Sequence, residues 1–210
     1  EYDWPLLVYI VIASSVSYGP SVAWVLYVRR RWGEGRFETL GGRLRWSDLG
    51  WGPLTWLTAV LTQAVLAAVI LTLDLPFTSN IEDGPGGDDR TYVVALLVAA
   101  VVAAPLVEEF VFRGVVLRGF LSRMPVAVAV GAQGVLFGVA HFDPVRGTGN
   151  IGLLLVLSGV GVVLGGAAFL LRRLGPVVLA HAILNAVALA LALTGALDDV
   201  DNPFEMLALL

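Results

Sequence analysis

The chain has 210 residues, of which 58% are hydrophobic and only 14% charged, and its mean hydropathy is +0.84. A soluble domain needs roughly 25% charged residues to coat its surface, so composition alone excludes a soluble globule, a disordered chain and a nucleic-acid binder; the net charge of −4 adds little. With no cysteine present, a disulfide scaffold, a thiolate metal site and a cysteine nucleophile are excluded as well.

Apolar runs near the length of about 20 residues that a spanning helix requires predict crossings over 4–28, 53–73, 91–112, 126–142, 151–171 and 177–194. The expected fold is all-α: a multi-pass transmembrane helical bundle of about six spanning helices. Three regions follow: an accessory part over 1–90, a core over 91–195 and an acidic, amphipathic tail over 196–210. The chain opens on Glu1-Tyr2-Asp3 without a methionine or a basic n-region, so no signal peptide is read there and a trimmed terminus is expected. All thirteen basic residues are arginine, and with the Ala/Val/Leu/Gly bias this points to a GC-rich bacterial gene.

After the first run come Arg29, Arg30, Arg31, Arg36, Arg43 and Arg45; Arg113, Arg118 and Arg123 end the third, and Arg172 and Arg173 end the fifth. These are eleven of the thirteen arginines, all in alternate loops. Because short cytoplasmic loops are enriched in Lys and Arg, this side is expected to face the cytoplasm and both termini the outside of the cell membrane. The other side holds only Arg90 and Arg146, with the acidic loop Glu82 to Asp89 and the tail residues Asp198, Asp199 and Asp201. Between the first two spans, Trp32, Phe37, Leu40, Leu44, Trp46, Leu49 and Trp51 alternate with arginines and predict an interfacial, aromatic-anchored stretch. The fourth run is short and is followed by Asp143 and Pro144, so a break near Phe142 is expected. Gly161 and Gly165, four apart in the fifth, predict close helix packing.

Polar groups within a hydrocarbon core cost several kcal/mol unless paired or hydrated, which makes each one a functional candidate. The inventory is Gln63, Glu108, Glu109, Gln133, His141, His181 and Asn185. Glu108 and Glu109 point about 100° apart on a helix and cannot share one role. Glu109 precedes Arg113 by four residues, the spacing at which a carboxylate and a guanidinium meet on one face. Glu108 is left without a local cation, as a general base would be. His181 and Asn185, also four apart, present an imidazole and an amide in one direction. Phe137 lies one turn before His141 and would restrict its ring. At about 1.5 Å of rise per residue, His181 lies roughly 10 Å past the turn at Leu174 and Glu108 roughly 7–8 Å past Arg113, so the two share a level. His141 reaches that level only if the segment 114–125 protrudes as a helical hairpin and the fourth run breaks.

Glu108-Glu109-Phe-Val-Phe-Arg113, Phe137-Gly-Val-Ala-His141 and His181-Ala-Ile-Leu-Asn185 resemble the EExxxR, FxxxH and HxxxN motifs of the CAAX-protease and bacteriocin-processing (Abi) family of intramembrane endopeptidases. All three occur in order, on separate hydrophobic segments. The resemblance implies a glutamate peptidase acting on a peptide or membrane-protein substrate near the cytoplasmic leaflet. In it Glu108, helped by His141, activates water, His181 and Asn185 stabilise the oxyanion, and Glu109 and Arg113 are structural. No cofactor is favoured: zinc on Glu108, His141 and His181 is the alternative, but Asn185 is a poor zinc ligand and a good hydrogen-bond donor. The competing functional expectation is a non-catalytic membrane binding or bacteriocin-immunity protein that holds a partner with the same polar cluster. HExxH and GxSxG are absent from the sequence.

Overall fold

The computed structural model describes residues 6–77 and 90–193; the acidic loop and the acidic tail singled out in the sequence lie outside them. Among the described residues the chain is helical, without strands. Helix α1 spans Leu6–Trp32 and α2 spans Asp48–Thr72. Helix α3 is one rod of five consecutive stretches: α-helical over Arg90–Leu97, π-helical over Val98–Ala103, α-helical over Ala104–Glu109, π-helical over Phe110–Val116 and α-helical over Leu117–Leu121. Helices α4 (Val126–Val139), α5 (Asn150–Leu171) and α6 (Gly175–Leu193) complete the bundle.

Five of these helices are long and apolar enough to cross a membrane, and α4, at 14 residues, is the shorter sixth. Pro125, with ψ 147°, starts α4. The chain leaves α4 at Ala140, before the 126–142 run is exhausted, and then forms a 3₁₀ turn over Pro144–Gly149. Asn150 closes this turn by donating from Nδ2 to the carbonyls of Asp143 (2.7 Å) and Gly147 (2.9 Å). The expected break near Phe142 is therefore real, and it puts His141 just beyond a helix end rather than inside a span.

The most extensive contact is α4 on α5, and α2 lies along both α5 and α6. The α4–α5 contact is close because small residues face each other. A Cβ on Gly161 would stand 2.8 Å from the Cα of Gly134, and one on Gly134 would stand 2.8 Å from the Val162 nitrogen. Phe137, Val160 and Leu164 are buried around this seam. Helix α1 touches the bundle mainly through α3 and leaves most of its surface outward.

The arginine-rich segment between α1 and α2 is not wholly interfacial. Its first half docks on the bundle: Leu40 is buried, the Phe37 ring meets Phe110 edge-on at 5.4 Å, and Arg29 lies 4.4 Å over the Phe37 ring. Gly41 turns the chain with φ +90°, which favours glycine, and its carbonyl accepts from the Leu174 N–H at 2.8 Å. Arg118 donates to the Thr39 carbonyl at 3.1 Å. The second half, with Leu44 and Trp46 80% and 89% exposed, keeps the anchoring surface that the sequence predicts.

Gly161→Ala forces α4 and α5 apart against backbone atoms, whereas Gly166→Ala, on the same helix, meets nothing within 4 Å. Gly161→Ala is expected to cost about 1–3 kcal/mol and Gly166→Ala to be neutral or slightly stabilising, as read by thermal unfolding in detergent. Equal melting temperatures for the two variants would contradict the seam.

Candidate active site

Glu109 is fully buried, and so is the side chain of Arg113. They meet as the spacing of four predicts, with Arg113 Nη1 donating to Glu109 Oε1 at 2.7 Å. The guanidinium also donates to the Gly161 carbonyl at 3.2 Å and lies 4.4 Å over the Phe137 ring. Ion pairs without water are stable only when geometry and extra hydrogen bonds offset desolvation, and here α3, α4 and α5 all contribute.

The same Glu109 Oε1 contacts His181 Nδ1 at 2.9 Å, across from α3 to α6. No spacing rule reaches a residue 72 positions away, and the sequence reading missed this contact. A carboxylate already paired with Arg113 can only accept, so His181 Nδ1 carries the proton and Nε2 is turned the other way. His141 is set in the same manner: its Nδ1 donates to the Phe137 carbonyl at 2.8 Å, which leaves Nε2 facing inward. The Phe137 ring lies between them, 4.9 Å from the His141 ring and 5.8 Å from that of His181.

Both free Nε2 atoms converge on one oxygen. Glu108 Oε2 is 3.9 Å from His141 Nε2 and 3.9 Å from His181 Nε2. These separations exceed a direct hydrogen bond and suit a bridging water-sized atom. Exposure falls across the cluster: the side chains of His141 and Glu108 are 26% and 21% exposed, that of His181 is 7%, and those of Glu109 and Arg113 are 0%. The two adjacent glutamates thus differ: the Glu108 side chain is partly exposed, although its Oε2 is itself buried and without a hydrogen-bond partner among the described residues, whereas the Glu109 side chain is sealed throughout.

Asn185 does not point freely beside His181. Its Nδ2 donates to the Ala100 carbonyl at 2.7 Å, and the sequence explains why that carbonyl is available. In the π stretch the Ala104 N–H bonds Ala99 O, five residues back. The next donor in that register is residue 105, which is a proline without an N–H. Asn185 supplies the missing hydrogen bond and ties α6 to the turn just upstream of Glu108. One amide hydrogen of Nδ2 remains for another acceptor.

The zinc alternative can be tested on this geometry. Neighbouring ligands of a tetrahedral zinc stand about 3.3 Å apart, closer than the 3.9 Å from Glu108 Oε2 to either imidazole. Among the described residues no three His, Cys, Asp or Glu side chains are spaced to hold a metal ion. The residues as they stand do not fit the ion. Of the other polar candidates, Gln63 Oε1 and both amide atoms of the fully buried Gln133 have no hydrogen-bond partner among the described residues, and neither side chain joins this cluster.

Removing one member of the sealed pair, as in Arg113→Met, is expected to cost about 3–5 kcal/mol, and the double variant Glu109→Gln/Arg113→Met should regain part of that loss in a detergent melt; an additive double variant would contradict the pairing. Asn185→Leu strands the Ala100 carbonyl at a cost of about 1–3 kcal/mol. Adding Pro105→Ala restores an N–H and should recover some of it, and no recovery would mean that the carbonyl is satisfied otherwise.

Residues 90–187 match the family model described as Type II CAAX prenyl endopeptidase Rce1-like. The match contains all three motifs, from Glu108 to Asn185, and leaves α1 and α2 outside it. No curated protein and no solved structure matches the chain.

Proposed function

We propose that this chain, a multi-pass membrane protein whose residues 90–187 match the Rce1-like CAAX prenyl endopeptidase family, is an intramembrane endopeptidase with Glu108 as its general base. The observation that carries the reading is the convergence of His141 Nε2 and His181 Nε2 on Glu108 Oε2, 3.9 Å from each. All three are hydrogen-bond acceptors when the imidazoles are neutral, so the arrangement calls for a proton-bearing guest, and water is the one the reaction needs.

In the proposed mechanism a water between Glu108 and His141 gives a proton to Glu108 Oε2 while its oxygen attacks the scissile carbonyl carbon. The carbonyl π pair moves onto oxygen, forming a tetrahedral oxyanion. Asn185 donates the Nδ2 hydrogen not used by Ala100 to that oxyanion, and His181 stands beside it as a second donor in the form that carries a proton on Nε2. As the intermediate collapses the C–N bond breaks and Glu108 passes its proton to the leaving amine. Glu109 is then a positioning residue as well as half of an ion pair, since it fixes which nitrogen of His181 faces the substrate. Cleavage near the cytoplasmic leaflet is part of the proposal, supported by the arginine excess on the side of the bundle nearest Glu108 and His181.

Glu108→Gln preserves shape and removes the base, so purified variant protein is expected to keep its melting temperature while cleaving a prenylated or apolar peptide library at least about 100-fold more slowly. Wild-type rates in Glu108→Gln, or no turnover by wild-type protein of any peptide in the library, would sink the reading. Turnover is expected to survive chelation. Loss on chelation with recovery on added zinc would restore the three-ligand alternative.

A further inference from the structure

Beside the site, and outside its machinery, a groove of about 640 Å³ opens where the Leu44–Leu49 segment crosses α3 and α6. Val102 and Leu106 of α3 form one wall and Val178 and Ala182 of α6 the other, with Leu44 and Arg45 at its mouth. The volume is that of a site for a small molecule, but the walls are almost wholly aliphatic. The polar groups are confined to the mouth.

Three observations describe what would fill it. First, Leu44 and Trp46 stand 80% and 89% exposed at the mouth, an arrangement that places this edge at the boundary between hydrocarbon and headgroups. Second, Arg45 and its neighbour Arg43 are exposed, and neither guanidinium has a hydrogen bond or ion pair among the described residues. Third, the one acid at the mouth is already neutralised: Asp48 is buried, its Oδ1 accepts from Arg173 Nε at 2.5 Å, and its Oδ2 accepts from the Arg45 backbone N–H at 2.9 Å. An anion at Arg45 therefore meets free positive charge with no open carboxylate beside it.

We propose that this groove binds an anionic phospholipid, with an acyl chain between α3 and α6 and the headgroup phosphate on Arg45 and Arg43. A zwitterionic lipid could fill the aliphatic part, but its choline or amine would cancel the attraction of the two arginines. The chain would lie against Leu106, two residues before Glu108, and Ala182, next to His181, so the lipid would brace the two helices that carry the site. The proposal does not depend on the peptidase reading.

The test is native mass spectrometry and thermal unfolding of the full chain in detergent, titrated with dioleoyl phosphatidylglycerol or dioleoyl phosphatidylcholine. The phosphatidylglycerol is expected to remain as a one-to-one adduct and to raise the melting temperature more than phosphatidylcholine does. Each of Arg43→Gln and Arg45→Gln should weaken the adduct about fivefold, and Val102→Trp should abolish it by filling the groove. Should Val102→Trp fail to fold, Leu49→Trp, at an exposed position on the groove's edge, serves the same purpose. Equal binding of the two lipids, or an adduct unaffected by the arginine and tryptophan variants, overturns the proposal. So does a tryptophan variant that slows peptide turnover while retaining its lipid, because the groove would then belong to the substrate.

Discussion

One oxygen atom organises the functional end of this bundle. Glu109 Oε1, in a side chain with no exposure, accepts from Arg113 on its own helix and from His181 on α6. The first contact neutralises the carboxylate and the second holds an imidazole on the same oxygen, while Oε2 is buried with no hydrogen-bond partner among the described residues. Arg113 carries the constraint outward, to the Gly161 carbonyl on α5 and the Phe137 ring on α4. Four helices are thus fixed around a single buried anion, and a low-dielectric interior makes every departure from that arrangement costly.

The irregular path of α3 belongs to the same design. A regular α-helix would rotate the face carrying Glu108 and Glu109 relative to everything before Val98. The π stretch adds backbone per turn, and Pro105 follows it at a point where the lost N–H would otherwise leave the Ala100 carbonyl unsatisfied. Asn185 meets that carbonyl, so the residue one turn beyond His181 on α6 corrects the hydrogen bonding that the proline disturbs. The imidazole–amide spacing therefore anchors α6 to α3 at two points, His181 on Glu109 and Asn185 on Ala100.

The small residues of α4 and α5 do for packing what the ion pair does for charge. Gly134 and Gly161 bring two backbones close enough for a guanidinium from α3 to reach a carbonyl of α5, and without that approach Arg113 would lack its third partner. The short length of α4 then lets the chain turn at Ala140, which swings His141 to the level of Glu108. The separation between these two, and not their burial, leaves space for a reactant.

The helical bundle, its apolar runs, the Glu109–Arg113 pair and the break after the fourth run were legible in the amino-acid sequence, because each depends on hydropathy or on neighbours within one helical turn. The docking of Phe37 and Leu40 was not: an aromatic among arginines reads as an interfacial anchor until a complementary surface, here Phe110 and Leu174, is known. His181 likewise showed a functional residue type and a local relation to Asn185, but its bond to Glu109 spans 72 positions and has no local signature. Only tertiary packing, through the α4–α5 seam and the π turns of α3, decides that two imidazoles present their Nε2 atoms to one carboxylate oxygen, because distance across helices is set by how side chains interlock and not by the period of any one helix.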